Sequence, residues 1–131
     1  MRFAWQLLTF VGATIATLAH SAIACGPNDA CAVESGYYLV RAPSGWNGKS
    51  SLPAVMFFHG YRESADTVMK NQDLVARMDK LGVLLIAPHG EGQTWSYPGS
   101  PAHLRNEFAF VGGVVEDGVG GPPEGARVSP P

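Results

Sequence analysis

The chain predicts an α/β fold, and two observations carry that expectation. Leu52–Phe58 and Val83–Ala87 are continuous apolar runs of strand length without a polar face, so each reads as a strand covered on both sides. Between them, Ala65, Val68, Val75, Met78 and Leu81 recur at helical spacing, with Asp66, Lys70, Arg77 and Lys80 mostly on other faces. Strand, helix, strand is the signature of a parallel βαβ unit. An apolar fraction of 46% in 131 residues supports one packed domain rather than a disordered chain.

Residues 1–24 read as a signal peptide. Met1-Arg2 supplies a basic start, Leu7–Leu18 an apolar stretch and Ala22-Ile23-Ala24 an A-x-A cleavage site. The stretch is too short and too rich in Ala and Thr for a spanning helix, although an uncleaved anchor is the competing reading. Export places Cys25 and Cys31 in an oxidising compartment, secreted, extracellular or periplasmic. A disulfide around Gly26-Pro27-Asn28-Asp29 is therefore expected. Lipidation of Cys25 is the alternative, weakened by Ala22 where such sites carry a larger aliphatic residue; only in that case would a membrane be a partner. No zinc site is expected, because two cysteines without paired histidines nearby leave the tetrahedron incomplete. Nine basic and eleven acidic residues, without a basic run, give no electrostatic reason to expect nucleic acid.

Along the mature chain, Gly36–Arg41 reads as a strand ending at Ala42-Pro43, and Ser44–Ser51 as a loop. The helix over 64–81 is expected to break near Asn71, with Asn71 or Asp73 capping its second part and Gly82 stopping it. Asp66, Asp73 and Asp79 read as a solvated face or caps. Gly90–His103 is a loop whose Trp95 and Tyr97 are candidate substrate-binding residues, packing onto their own domain being the alternative. Asn106 stands where a cap belongs, followed by Glu107, and Phe108, Val111, Val114 and Val115 fit one helical face. Residues 118–131 hold four glycines and four prolines and read as a flexible, disordered tail, which bounds the domain at 25–117.

The chemistry concentrates at Phe58-His59-Gly60-Tyr61-Arg62. A buried strand that ends in His-Gly and opens a loop is where α/β-hydrolases form half of their oxyanion hole from a backbone N–H. His59, Gly60, Tyr61 and Arg62 are therefore the oxyanion-region candidates, with Gly60 expected at positive φ and the Tyr61 or Arg62 N–H as donor. His59, His89 and His103 suggest a metal triad, but no H-x-H or H-x-x-x-H spacing fixes their rings, so no metal and no cofactor is expected.

The order Cys25…Cys31, Gly36-Tyr37-Tyr38, Pro53…Phe58-His59-Gly60, Leu84-Leu85-Ile86-Ala87-Pro88-His89-Gly90, Trp95 and Arg105–Val111 resembles the polyhydroxybutyrate-depolymerase and feruloyl-esterase-like family. The likeness spans residues 25 to about 117. It implies an extracellular or periplasmic serine esterase on an α/β-hydrolase fold, acting on a carboxylic ester, with His59-Gly60 in the oxyanion region and Trp95 near the active-site side.

Where the family continues into a strand and a G-x-S-x-G elbow, this chain has none. Its nearest approach, Gly48-Lys49-Ser50, lacks the final glycine and lies before the wrong strand. Oxyanion donors alone do not replace the nucleophile, so the chain is expected to be inactive by itself: an incomplete α/β-hydrolase-type sheet, left so by a frameshift or premature stop. In the α/β-hydrolase order the strand 53–58 is central, beside the strand that carries the nucleophile. Without that neighbour an apolar edge is exposed at Val55, Met56, Phe57 and Phe58, and self-association follows. A small secreted or lipid-anchored binding module is the alternative function.

Overall fold

The computed structural model describes residues 25–48, 50–101 and 103–120. The expected signal peptide and residues 121–131 of the expected tail lie outside the described residues. What is described is a mixed four-stranded sheet with helices on both faces. Its strands are β1 (Cys31–Val33), β2 (Gly36–Arg41), β3 (Ala54–Met56) and β4 (Leu84–Pro88). They lie in the order β1-β2-β4-β3; β2 runs antiparallel to both neighbours, and β3 and β4 are parallel.

Each face of the sheet has its own apolar cluster. Tyr38, Val40, Leu84 and Ile86 pack on one side against Phe110 and Val114 of helix α3 (Glu107–Gly120). Leu39, Leu85 and Ala87 pack on the other against Ala65, Val68 and Met69 of α1 (Ala65–Lys70) and Val75 of α2 (Gln72–Leu81). The alternation along β2 and β4 thus feeds both layers, which is why β4 reads as an unbroken apolar run. All five of its residues are buried.

The helix boundaries follow local chemistry. The Ser64 side chain accepts from the Thr67 N–H at the start of α1, and Asn71 Oδ1 accepts from the Leu74 N–H at the start of α2. Asn71 ends one helix and caps the next, so the break falls where the sequence places it. Gly82 closes α2 in the left-handed conformation. Asp79 is neither cap nor bare face: its carboxylate accepts from the Ser44 N–H and hydroxyl, tying the loop after β2 to α2.

Three elements differ from the sequence reading. β1 begins where the expected cysteine loop closes, at Cys31; its three residues carry no periodic signal and become a strand only by pairing with β2. The 52–58 run supplies a much shorter strand at the end of the sheet, with Phe57 and Phe58 41% and 45% exposed, so it is not covered on both sides. Helix α3 runs three residues past Asp117, and its buried stripe is Phe110, Val114 and Gly118, whereas Phe108 is 81% and Val115 46% exposed. That stripe is set by a second contact: the Tyr38 hydroxyl, on a side chain with no exposure, donates to Asp117 Oδ2 at 2.6 Å. Burial first, and then the hydrogen-bonded Asp117 carboxylate, push the Tyr38 phenol well above its ordinary value. Gly112 and Gly113 each cost about 1 kcal/mol of helix propensity. Burying Phe110 and Val114 contributes roughly 1.5–3 kcal/mol apiece, so packing decides.

The Cys25–Cys31 disulfide is formed and fixes the loop that precedes β1. The Cys25 sulfur is thereby committed, which leaves no thiol for lipidation in this state. Among the described residues no helix is long and apolar enough to cross a membrane.

Candidate functional site

The turn after β3 is held from within. The Gly60 N–H donates to Glu63 Oε2 at 2.8 Å, and the Glu63 N–H donates to the Gly60 carbonyl at 3.1 Å. The Arg62 N–H is spent on the Gln93 carbonyl at 2.9 Å. Of these consecutive backbone donors, Gly60 to Glu63, Tyr61 alone has no partner among the described residues. Gly60 does not adopt the positive φ expected of it; Arg62 does, at 64°. The reason for glycine at position 60 is space: a Cβ there would lie 3.1 Å from Glu63 Oε2 and crowd the carboxylate that closes the turn.

His59 is buried, and both of its ring nitrogens are engaged. Nε2 accepts from the Gly90 N–H at 2.8 Å, so it carries no proton, and Nδ1 then donates to the Gly60 carbonyl at 2.9 Å. The imidazole is a strut between the turn after β3 and the turn after β4. It is not a free base or a metal ligand.

His89 lies beside it, 5.6 Å between ring centroids, stacked on Tyr37 at 4.6 Å. Its Nδ1 receives a long contact of 3.5 Å from the Ala65 N–H. Burial first, then the neighbouring His59 and Arg105, lower its pKa, against the opposing pull of Asp66. The two strand-end histidines therefore do meet at one sheet edge, whereas His103 is exposed in the following loop and joins neither. Among the described residues no group of His, Cys, Asp or Glu could hold a metal ion.

Trp95 serves its own domain first. Its Nε1 donates to the His59 carbonyl at 2.9 Å, and its ring meets Phe58 edge-on at 5.0 Å and His59 at 4.9 Å. Tyr97 is 60% exposed. Two hollows flank this pair. The larger, about 640 Å³, is lined by Tyr61, Thr94, Trp95, Tyr97, Pro101 and Leu104. The smaller, about 380 Å³, lies among Phe58, Trp95, Tyr97, Phe108 and Val111. Tyr61 thus presents its unbonded N–H from a residue that also lines the larger cleft.

Sequence reasoning missed the group that holds this loop in place. Arg105 pairs with Glu107 at 2.9 Å, and only 5% and 11% of the two side chains are exposed. It also donates to the carbonyls of His89 at 2.8 Å and Ser35 at 3.1 Å, with its guanidinium 3.4 Å over the Phe110 ring. Glu107 accepts from the Ser96 N–H through its other oxygen. The cap of α3 is Asn106, whose Oδ1 accepts from the Ala109 N–H. Arg105 requires Gly36: a Cβ at that position would sit 2.5 Å from its Nη1. A lone Arg two residues from a Glu has no sequence signature. The signal would have been the coincidence of an apolar helix start with two unsatisfied charges.

Four serine hydroxyls are committed to partners other than histidine. Ser44 bonds Asp79, Ser50 bonds Asn47, Ser64 bonds Thr67, and Ser96 accepts from the Leu104 N–H. No protein-family model matches the chain, and no curated protein matches it. The site is one backbone donor without a partner among the described residues, in the turn after β3 and beside an aromatic cleft.

Proposed function

We propose that residues 25–117 are the N-terminal part of a secreted carboxylic-ester hydrolase of the polyhydroxybutyrate-depolymerase-like, α/β-hydrolase type. By itself this chain does not hydrolyse esters. The observation that carries the reading is the Tyr61 N–H. It follows the third strand of the chain, the position from which α/β-hydrolases supply half of the oxyanion hole, and it is the only donor of its turn left unspent. The Glu63 carboxylate and the His59 strut hold the surrounding backbone, so the donor is preorganised rather than recruited. Trp95, Tyr97 and the cleft beside them form the bed for the acyl or alcohol group. The other half of the hole, the nucleophile and its base are absent from these 131 residues.

Supplying the absent half tests the reading. Residues 1–117 fused ahead of the nucleophile strand and remaining triad of a polyhydroxybutyrate-depolymerase-like esterase should hydrolyse a nitrophenyl ester, while the chain alone stays at the buffer rate. A folded but inactive chimera would count against it. A second reading, a binding module without catalysis, is favoured by the apolar hollow of Phe58, Trp95, Tyr97 and Phe108. It expects a ligand-dependent change in Trp fluorescence together with the inactive chimera.

A further inference from the structure

The Phe57 N–H donates to the Ile86 carbonyl at 2.8 Å, and the Leu84 N–H to the Pro53 carbonyl at 2.8 Å. In a parallel ladder the inward groups alternate, so along β3 and its flanks residues 53, 55 and 57 turn their backbone groups to β4. The N–H and C=O groups of Ala54, Met56 and Phe58 point outward from the sheet, and none has a partner among the described residues. The usual protections of an edge are missing. From Ser50 to Gly60 there is no Asp, Glu, Lys or Arg, and no proline after Pro53. Among the described residues no helix lies over this edge: α3 packs on β1 and β2, and α1 and α2 pack on β2 and β4.

We propose that two copies of this chain pair antiparallel through β3, about a two-fold axis at Met56 normal to the sheet. The esterase reading is not needed for it. The outward groups are symmetric about Met56: Ala54 of one copy falls opposite Phe58 of the other, and Met56 opposite Met56. All three positions offer both a donor and an acceptor, so the register completes itself without a foreign sequence. The uncharged stretch lets identical surfaces meet without like-charge repulsion.

The apolar surface continues past the strands, since Phe58 and Phe108 line one hollow. Phe57, Phe58 and Phe108, exposed by 41%, 45% and 81%, represent on the order of 300 Å² of ring surface per copy. Two copies together bring about 600 Å² of ring surface, short of the roughly 1,000 Å² of a specific interface, so the backbone pairing has to supply the rest. The dimer is therefore concentration-dependent rather than obligate.

The full chain, purified with its disulfide intact, tests this by sedimentation and amide hydrogen exchange across a dilution series. A monomer–dimer equilibrium is expected, in which the Met56 and Phe58 amides lose protection on dilution while Val55 and Phe57 keep theirs. Ala54→Lys should abolish the dimer with circular dichroism unchanged. Phe108→Ser, on the exposed face of α3, should weaken it several-fold and covers the case in which Ala54→Lys fails to fold. A chain that stays monomeric at every concentration overturns the proposal, and so does open-ended growth beyond the dimer. Equal protection of all four amides at high dilution overturns the assigned register.

Discussion

The two ends of the sheet are built from opposite materials. At the β1–β2 end the chain spends its specific chemistry: a disulfide, the Tyr38–Asp117 hydrogen bond, and an arginine that satisfies two carbonyls and a carboxylate at once. At the β3 end it shows unbonded backbone and bare phenylalanines. Polar groups are nearly absent there, so there is nothing to misplace and equally nothing to prevent a partner from joining. Stability is expected to reside at the first end, and association at the second.

That contrast has a steep gradient of consequences. Arg105→Ala leaves Glu107 buried without its cation and removes the donor from His89 and Ser35. It should cost about 3–5 kcal/mol, read by urea denaturation; a loss under about 1 kcal/mol would mean the end is held by packing alone. Opening the disulfide with Cys25→Ser and Cys31→Ser together should cost about 2 kcal/mol, less than a long-range crosslink, because the closed loop is short.

A smaller effect comes from His89. Its folded-state pKa lies below the unfolded value, so the unfolded chain binds more protons in the window beneath pH 6.5. The stability it contributes is complete above that pH and is lost as pH falls through the lowered value. Denaturation midpoints between pH 7.5 and 5 should show the loss, and His89→Gln should flatten it. At the other end, Phe108→Ser measured on dilute monomer should shift stability by no more than about 0.5 kcal/mol. A large loss there would erase the distinction between the two ends.

What was legible in the sequence follows the same division. Periodicity and caps placed α1, α2 and β2, because Ser64, Asn71 and Gly82 act on their own neighbours. The strand-end histidines were legible as companions, since parallel neighbours carry their ends to one edge. The apolar content of 52–58 was plain, but its length as a strand was not: pairing with β4 alone sustains only Ala54–Met56. Helix α3 misled because it is apolar on several faces. Phe108 and Val115 fit a stripe as well as Phe110 and Val114, and the choice between them is made by Tyr38, 79 residues before Asp117. Of the four oxyanion-region candidates, His59 and Gly60 turn out to be scaffold and Arg62 is already bonded. That sorting depends on Glu63, Gly90 and Gln93, which no local pattern connects.

The Tyr38–Asp117 bond also has a meaning in time. A chain delivered N-terminus first presents β2 long before the last turns of α3. Until Asp117 emerges, the Tyr38 hydroxyl has no acceptor in the interior and must stay turned to water, which keeps that face of the sheet from closing. The opposite face has no such debt, because α1, α2 and β4 are complete by Pro88. The molecule is thus set to mature one face at a time, with the final polar contact acting as the latch on the second.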